Sequence, residues 1–314
     1  MIDVYLNIEN KFTRGCLILL EEFKTFISVV DFKNFTKAGN HLNLSQPTVS
    51  THIKNLENHF GVTLINRSIK QKNIFITEKG YILYKRAKEI LNLMDVTYKE
   101  ISNNSHSITG TIKIGASSTI GDYILPKFLS IFSEKYPDIN VEIFIENTSS
   151  VCSDIRNFIL DLGLIEGNFN DSHFNKGYFL KDKLSLALPY DPKIVSTDEV
   201  QVSMLQNKRW IVRENGSGTR EYLDLFLSKY KILPKNIMIV GSNYAVKESV
   251  KNRLGISIIS KFIAQSAVES NEISIIELDN TFTRNFSYIL PKDVNVSDIT
   301  HLFLRELKLY CATL

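Results

Sequence analysis

The clearest structural pattern in the sequence runs from Asn34 to Arg67 and reads NFTKAGNHLNLSQPTVSTHIKNLENHFGVTLINR. Two sets of apolar residues recur in it at helical spacing, namely Phe35, Ala38 and Leu42, then Val49, Ile53, Leu56 and Phe60. Each set forms one narrow apolar stripe, so the pattern predicts two short helices that pack stripe to stripe. Asn34 and Ser45 are good N-cap residues, and Pro47 falls in the first turn of the second helix, where a proline costs little.

The opposite face of the second helix is polar and carries no carboxylate. A helical wheel places on it Pro47, Thr51, Lys54, Asn55 and Asn58, with Gln46 and Ser50 at the flank of the first turns. Hydroxyls and amides can pair with base edges in the major groove of DNA, and a lysine can meet phosphate. The pattern therefore predicts a DNA-reading helix. The alternative left open by the pattern is a solvated helical hairpin in another kind of globular protein.

The run LEEFKTFISVVDFKNFTKAGNHLNLSQPTVSTHIKNLENHFGVTLINRS, followed by ITEKG, resembles the winged helix-turn-helix of LysR-type transcriptional regulators. The motif SQPxxSxxIxxLE of that family is present here from Ser45 to Glu57, whereas Gly39 stands where alanine is usual. The resemblance implies a DNA-binding domain over residues 20–76. The expected DNA contacts are Ser45, Gln46, Pro47, Thr48, Ser50, Thr51, Lys54, Arg67, Lys70 and Lys72.

A basic hairpin follows the second helix. Gly61 is placed to end that helix in a left-handed cap, and residues 63–76 read as two short strands around a polar tip. Arg67, Lys70 and Lys72 lie in this hairpin, where they can neutralise phosphates, although an ordinary solvated turn would look similar. Residues 1–19 precede the usual start of the family domain and are either an extension or the result of a misassigned start codon. We assign them no function.

A long helix is predicted from Thr77 to about Ser102. Its apolar positions alternate by four and three residues and form a heptad seam of nearly three repeats, at Leu83, Ala87, Ile90, Met94, Thr97 and Ile101. By resemblance, this segment is the dimerising linker helix of LysR-type proteins, which predicts a homodimer or tetramer. The polar run SNNSHSITG after it reads as a hinge, so residues 77–108 are assigned as linker helix and hinge.

From residue 109 onward the pattern changes to alternating strands and helices, which indicates parallel α/β sheets. Strands are predicted at 111–116, 140–146, 161–165, 184–189, 210–213, 236–241, 256–259, 273–277 and 286–290, with helices at 121–136, 219–230 and 245–252. The family resemblance extends through this region. It implies an effector-binding domain over 109–314 with two Rossmann-like subdomains, as in periplasmic binding proteins. One is expected at about 111–182 plus 281–314, and the other at about 183–280.

Two stretches of this domain carry anion-binding chemistry, ASSTIGDY at 116–123 and RENGSGTR at 213–220. In each, hydroxyls and glycine follow a strand just before a helix opens. Side-chain donors and backbone N–H groups therefore converge where the helix dipole is positive, at the carboxyl end of a strand. Serine and threonine are also normal N-caps and glycine is normal in turns, so each stretch alone fits a structural role equally well.

These stretches are most similar to those of a LysR branch that includes regulators of sulfite reduction, sulfur assimilation and carbon fixation. The corresponding residues of that branch line the effector cleft, and here they are Ser117, Ser118, Thr119, Thr148, Ser217, Gly218 and Thr219. Arg213 is added for its charge. The expected effector is a small oxyanion, with sulfite or sulfate as first candidates. Arg213 and Arg220 could instead pair with Glu214, Glu221 or Asp122, which would leave binding to the hydroxyls.

Composition sets further bounds. The 314 residues are 44% hydrophobic, enough for two or three domains, and the net charge is only +3. The three cysteines fit neither a CxxC pair nor a disulfide framework, and the histidines lack ligand spacing. Neither a Walker A motif nor a GxSxG elbow is present, so no cofactor, metal or catalytic residue is predicted. No membrane span or signal peptide is evident, and we expect a cytoplasmic protein.

The sequence thus predicts a LysR-type transcriptional regulator rather than an enzyme. Its expected partners are double-stranded promoter DNA, a small-molecule effector and further copies of itself, with RNA polymerase as an additional candidate and no membrane. The alternative of a different class is a cytosolic solute-binding protein, or a ligand-binding enzyme domain, fused to a helical hairpin. Sequence-selective, competitor-resistant DNA binding would separate the two.

Overall fold

The computed structural model describes residues 19–67, 74–101, 108–167, 171–194, 202–292 and 296–314. The chain divides into two compact units, Met1–Ser107 and Ile108–Leu314. The predictions about residues 1–18, Lys70, Lys72 and the hinge over 102–107 lie outside the described residues. Within the described part of the chain, no helix is long and apolar enough to cross a membrane.

The first unit is mainly helical. Its elements are α1 (residues 19–32), α2 (Phe35–Leu42), α3 (Gln46–Phe60), β1 (Ile65–Arg67), β2 (Ile74–Ile76) and α4 (Glu78–Ile101), with β1 and β2 antiparallel. The predicted caps are confirmed: Asn34 accepts backbone N–H groups at the start of α2, and Ser45 does so at the start of α3. Gly61 ends α3 with a φ of 64°, in the left-handed region that favours glycine.

The apolar stripe of α3 forms the centre of this unit. Val49, Ile53 and Leu56 are at most 1% exposed. Phe60, predicted as the end of the same stripe, is 43% exposed, so the prediction is wrong at that position. The last turn of α3 lies outside the core, since His59 and Gly61 are exposed as well.

The second unit contains nine strands among its described residues. Its helices and strands are β3 (Gly110–Ser117), a π-helical turn (Ile120–Ile124), α5 (Leu125–Lys135), β4 (Ile139–Glu146), α6 (Thr148–Arg156), β5 (Leu162–Glu166), β6 (Phe174–Pro189), α7 (Val202–Leu205), β7 (Arg209–Arg213), α8 (Gly218–Lys229), β8 (Asn236–Val240), α9 (Asn243–Lys251), β9 (Ser257–Ser260), α10 (Lys261–Glu269), β10 (Ile273–Glu277), a 3₁₀ turn (Asn280–Phe282), β11 (Thr283–Pro291) and α11 (Asp298–Cys311).

The pairing of these strands is mixed, which corrects the expectation of parallel sheets. A seven-stranded sheet has the order β10-β6-β11-β5-β3-β4, with β9 also paired to β6, and β7 pairs with β8 separately. The pairs β3–β4, β3–β5 and β7–β8 are parallel. The pairs that involve β6 or β11 are antiparallel. The cause is β6, a 16-residue strand that runs beside β11 in its first part and beside β9 and β10 in its last.

The described buried apolar residues of this unit form four clusters, and the two largest draw on different parts of the chain. One draws on residues between Ile112 and Leu164 and between Phe286 and Cys311. The other draws on residues between Leu184 and Phe282. The chain therefore crosses between two apolar cores along β6 and β11, and the loops at the ends of β3, β5 and β7 meet where the two lobes face each other.

Candidate functional site

The first turns of α3 present polar side chains to solvent. Gln46, Pro47, Thr51 and Lys54 are exposed. The amide of Gln46 donates to the Ser50 hydroxyl at 3.0 Å, and the Thr51 hydroxyl donates to the Pro47 carbonyl at 3.0 Å. These bonds order polar groups on the exposed face, which is the chemistry that base-edge recognition requires.

Two predicted DNA contacts also serve the helix itself. The Ser45 hydroxyl accepts the Thr48 backbone N–H at 3.2 Å and lies 2.7 Å from the Thr48 hydroxyl. Asn55, predicted to point outward, is exposed, yet its amide donates to Glu22 of α1 at 2.8 Å. Arg67 lies in β1, and its side chain falls outside the description, as do Lys70 and Lys72.

The hairpin of β1 and β2 is the wing of this unit, and its base is held by a residue for which the sequence analysis predicted no role. The Glu57 carboxylate accepts the backbone N–H groups of Leu64 and Ile65 at 2.8 and 3.2 Å. It therefore ties the end of α3 to the start of the hairpin. A glutamate on an otherwise basic helix, eight residues before a strand, is the one sequence signal for this contact.

In the second unit, the structure brings the eight predicted effector residues together. Those on one lobe are Ser117, Ser118, Thr119 and Thr148, and those on the other are Arg213, Ser217, Gly218 and Thr219. All are buried, and Ser118, the most accessible of the side chains, is 8% exposed. Six of them line one recess, together with Asn147 and Glu166, and this recess is too narrow to admit a water molecule. Thr119 and Thr219 are absent from the lining of that recess.

Ser117 and Thr148 use their hydroxyls within their own lobe. Thr148 donates to the Glu166 carbonyl at 3.1 Å, and Ser117 accepts the Glu166 N–H at 3.3 Å. The two hydroxyls are 3.0 Å apart. Because the Thr148 proton goes to the carbonyl, Ser117 supplies the proton between them. Their bonding therefore holds the end of β5.

Thr119 and Thr219 belong to a buried charged network that the sequence analysis missed. The Arg284 guanidinium lies 2.6 Å from Glu166 and 2.7 Å from Asp182, with both carboxylates at most 3% exposed. It also donates to the hydroxyls of Thr219 and Thr119 at 3.0 and 3.2 Å. A carboxylate directly after the apolar run of β5 was a usable sequence signal for Glu166. Arg284 and Asp182 had none.

The network spans the cleft and shifts the pKa of one of its carboxyl groups, Asp182. Thr219 donates to Glu166 at 3.3 Å, and the Asn243 amide donates to Thr119 at 2.9 Å. Burial raises the pKa of Asp182, and Arg284 beside it acts in the opposite direction. Two buried carboxylates thus share one guanidinium. Removing one partner of a buried ion pair lowers the free energy of unfolding by about 3–5 kcal/mol.

Arg213 lies at the cleft but is already paired. It forms two hydrogen bonds of 2.8 Å with Glu214 and further bonds with Asn243 and Ser118 at 2.7 and 3.3 Å. This is the pairing foreseen as an alternative for Arg213. Arg220, by contrast, pairs with Asp224 rather than with any of the three carboxylates considered from the sequence.

Ser217 is the exception among the hydroxyls. It occupies the N-cap position of α8 yet makes no side-chain capping bond, and it is 6% exposed. Across the described residues, no hydrogen bond involves its hydroxyl. Gly218 follows it, and a Cβ there would lie 2.6 Å from the Glu166 carbonyl, so glycine permits the close approach of α8 to β5. The first N–H groups of α8 and the Ser217 hydroxyl thus face the cleft as donors.

A second cavity, of about 320 Å³, adjoins the recess. Its lining residues are Thr148, Ser149, Glu166, Asn215, Gly216, Ser217, Gly218, Arg220, Glu221 and Asp224. In the described residues, no group of three or more histidines, cysteines, aspartates or glutamates is arranged to hold a metal ion. Cys152 and Cys311 are buried away from the cleft, and burial raises the pKa of each thiol to about 12.

Comparison with known proteins identifies both units. The model for the bacterial regulatory helix-turn-helix protein, lysR family, matches residues 20–81, and that for the LysR substrate binding domain matches residues 105–312. The chain is 41% identical over 286 residues to the HTH-type transcriptional regulator CysL of Bacillus subtilis, covering 91% of this chain and 95% of CysL. It is 28% identical to a probable RuBisCO transcriptional regulator of Phaeodactylum tricornutum, covering 92% and 96% of the two chains.

The fold is similar to that of full-length OxyR from Pseudomonas aeruginosa, with a TM-score of 0.74 at 18% identity, covering 92% of this chain and 94% of OxyR. A helix-turn-helix unit followed by a two-lobed α/β cleft defines a ligand-responsive DNA-binding regulator. The chain belongs to the LysR family of transcriptional regulators. Its relatives are named as regulators over nearly their whole length, so it is not an enzyme, and the alternative of a solute-binding or enzyme domain with an unrelated hairpin is wrong.

Proposed function

We propose that this regulator recognises specific promoter sequences through α3 and is controlled by a small oxyanion bound between its two lobes. The observation that supports base reading is the exposed polar face formed by Gln46, Pro47 and Thr51, which carries no carboxylate. Gln46 and Thr51 contact base edges. Lys54, about two turns after Gln46 on the same helix, contacts phosphate. Arg67, Lys70 and Lys72 add phosphate contacts from the wing.

Binding measurements on a cognate site test this assignment. Gln46→Ala should weaken binding by roughly 1–3 kcal/mol and relax the preference at one base pair. Lys54→Ala should weaken binding to all sequences alike and reduce the salt slope by about 1. Lys24→Ala, an exposed lysine of α1, is the matched control for loss of positive charge. An unchanged sequence preference in Gln46→Ala would overturn the assignment.

The observation that supports the oxyanion is Ser217, a buried N-cap serine without a capping bond. Ser217 and Gly218, at the start of α8, line both the recess and the adjoining cavity of about 320 Å³, and Ser118 lines the recess. We place the anion where the cavity meets the recess. Arg213 adds little net charge because Glu214 neutralises it, so attraction of the anion comes mainly from hydroxyl and backbone donors. Bonds to a charged group contribute about 1.5–3 kcal/mol each, and three of them support micromolar binding after the entropy of association is subtracted.

Calorimetry against sulfite, sulfate, thiosulfate, selenite and phosphate tests the effector class. We expect one or more of them to bind, and Ser217→Ala to weaken that binding at least tenfold, as loss of one bond to a charged group does. Ser133→Ala, at an exposed position of α5, should bind as the wild type does. Heat from none of the five anions, alongside binding of a larger organic acid, would refute the oxyanion while leaving the regulator in place.

A further inference from the structure

The cavity beside the recess is larger than a small oxyanion needs. Its volume is about 320 Å³, which is at the lower end of the range for small-molecule pockets. A tetrahedral oxyanion has only five heavy atoms. Thr148, Glu166, Ser217 and Gly218 line both the recess and this cavity. A ligand whose anionic group sits at Ser217 can therefore extend into the larger space.

The lining of the larger cavity is acidic. Glu166, Glu221 and Asp224 contribute three carboxylates, and Arg220 is the single basic residue among the lining residues. Arg220 is used by Asp224, whose two carboxylate oxygens each lie 2.9 Å from its Nε. Arg284 pairs with Glu166 from behind the lining. The carboxylate oxygens of this lining are hydrogen-bond acceptors, so this end of the site suits a ligand group that donates hydrogen bonds.

Glu166 lies where the two spaces meet. Its carboxylate receives three donors from the described residues: the Thr119 N–H at 2.8 Å, the Thr219 hydroxyl at 3.3 Å and Arg284 at 2.6 Å. An ionised carboxylate offers about four acceptor positions, so one remains for a ligand. Because Glu166 and Asp182 share Arg284, a further donor or cation offsets the remaining negative charge.

We propose that the effector is a bipolar small molecule, in which an oxyanion group bound at Ser217 and the first turn of α8 is joined by a short chain to an ammonium or hydroxyl group that faces Glu166 and Glu221. This inference deepens the proposed function and rests on its anion site. Two independent features carry it: a buried serine hydroxyl aimed into the site at one end, and an acidic cavity with unused volume at the other.

Three sulfonates with the same head group test the inference on the full chain. Ethanesulfonate, 2-hydroxyethanesulfonate and 2-aminoethanesulfonate differ only in the hydrogen, hydroxyl or ammonium group on the second carbon, and inorganic sulfate serves as the reference anion. Calorimetry should show affinity rising in that order. The aminosulfonate should bind about tenfold more tightly than ethanesulfonate, which corresponds to one additional charge-assisted hydrogen bond.

Variants at the two ends separate the two halves of the site. Glu221→Gln, at an exposed position, should reduce the affinity ratio of aminosulfonate to ethanesulfonate several-fold. Ser217→Ala should weaken all three sulfonates. Glu134→Gln, at an exposed position of α5, is the control for loss of a negative charge and should leave the ratio unchanged.

Each failure has a distinct meaning. Equal affinities for the three sulfonates, or binding of sulfate with no binding of any sulfonate, would overturn the bipolar effector and leave the oxyanion site standing. No heat from sulfate or from any sulfonate would overturn both. If the affinity ratio of aminosulfonate to ethanesulfonate stays at the wild-type value in Glu221→Gln, the acidic cavity does not bind the ammonium group.

Discussion

At the scale of single residues, the hydroxyls of the cleft divide by where their protons go. Ser117 and Thr148 bond within one lobe, and Thr119 and Thr219 bond to the buried charges around Arg284. Among the described residues, the hydroxyl protons of Ser118, Ser217 and Thr119 have no acceptor, since Ser118 accepts from Arg213 and Thr119 accepts from Arg284 and Asn243. Of these three, Ser118 and Ser217 line the recess. We therefore expect ligand binding and lobe stability to depend on different hydroxyls.

This division predicts that substitutions at Thr219 and Ser217 affect the free energy of unfolding differently. Thr219→Val keeps the shape of the side chain but removes its bonds to Glu166 and Arg284, so it should lower the free energy of unfolding by about 1–3 kcal/mol. Thr219→Ser should restore most of it. Ser217→Ala should change stability by less than about 0.5 kcal/mol. Urea unfolding measures all three, and an equal loss in Ser217→Ala and Thr219→Val would contradict the division.

The Glu214 carboxyl gives the cleft a pH dependence. Burial raises its pKa, but hydrogen bonds from Arg213 and Asn147 outweigh burial and hold the pKa below the ordinary value. A depressed folded-state pKa means that the carboxylate stabilises the fold above the pH at which an unfolded glutamate titrates, about 4.3, and that this stability is lost as the pH falls through the folded-state value.

Glu214→Gln should therefore be less stable than the wild type at pH 7, and the difference should shrink as the pH falls below about 4. Urea unfolding of both proteins at pH 7, 5, 4 and 3 measures this. Glu269→Gln, an exposed glutamate of α10, should show no such trend. A stability difference between Glu214→Gln and wild type that is the same at all four pH values would rule out the Arg213 pairing as its source.

At the scale of secondary-structure elements, the heptad seam of α4 has two parts. Leu83 and Ala87 are buried within the first unit, whereas Ile90 and Met94 are 41% and 50% exposed. Leu93 and Tyr98, outside the predicted seam, are exposed as well. The first part of the seam belongs to the fold of the DNA-binding unit, and we propose that the second part packs against a second copy of the chain.

Ile90→Asp with Met94→Asp should separate the dimer into folded monomers and strongly weaken DNA binding. Leu83→Asp places a charge in the core and should instead unfold the first unit. Sedimentation gives the oligomeric state, and thermal unfolding distinguishes dissociation from loss of fold. Arg86→Asp, at an exposed polar position of the same helix, controls for added negative charge. An intact dimer in the double variant would place the interface elsewhere.

The sequence predicted elements well where local pattern decides them. The caps at Asn34, Ser45 and Gly61 follow from side-chain and backbone chemistry within a few residues, and all three were confirmed. The first part of β6 was missed because residues 175–181 are not regularly buried and show no alternating pattern. Their strand character comes from pairing with β11, more than a hundred residues later, which no local pattern reveals.

At the scale of the whole chain, the part of the cleft that follows from local pattern was predicted, and the part that depends on distant segments was missed. The two donor-rich loops were recognisable because each combines a strand end with a helix start. Glu166, Asp182, Asn243 and Arg284 act only where four distant segments meet, so their roles depend on the tertiary arrangement.

Sequence-specific base reading by α3 can be tested by letting the full chain enrich duplex DNA from a random pool at physiological salt. We predict that the wild type enriches sites with two related half-sites one helical turn or more apart, and that Gln46→Ala loses the preference at one position of each half-site. A pool without sequence enrichment, or identical enriched motifs from both proteins, would contradict base reading by α3.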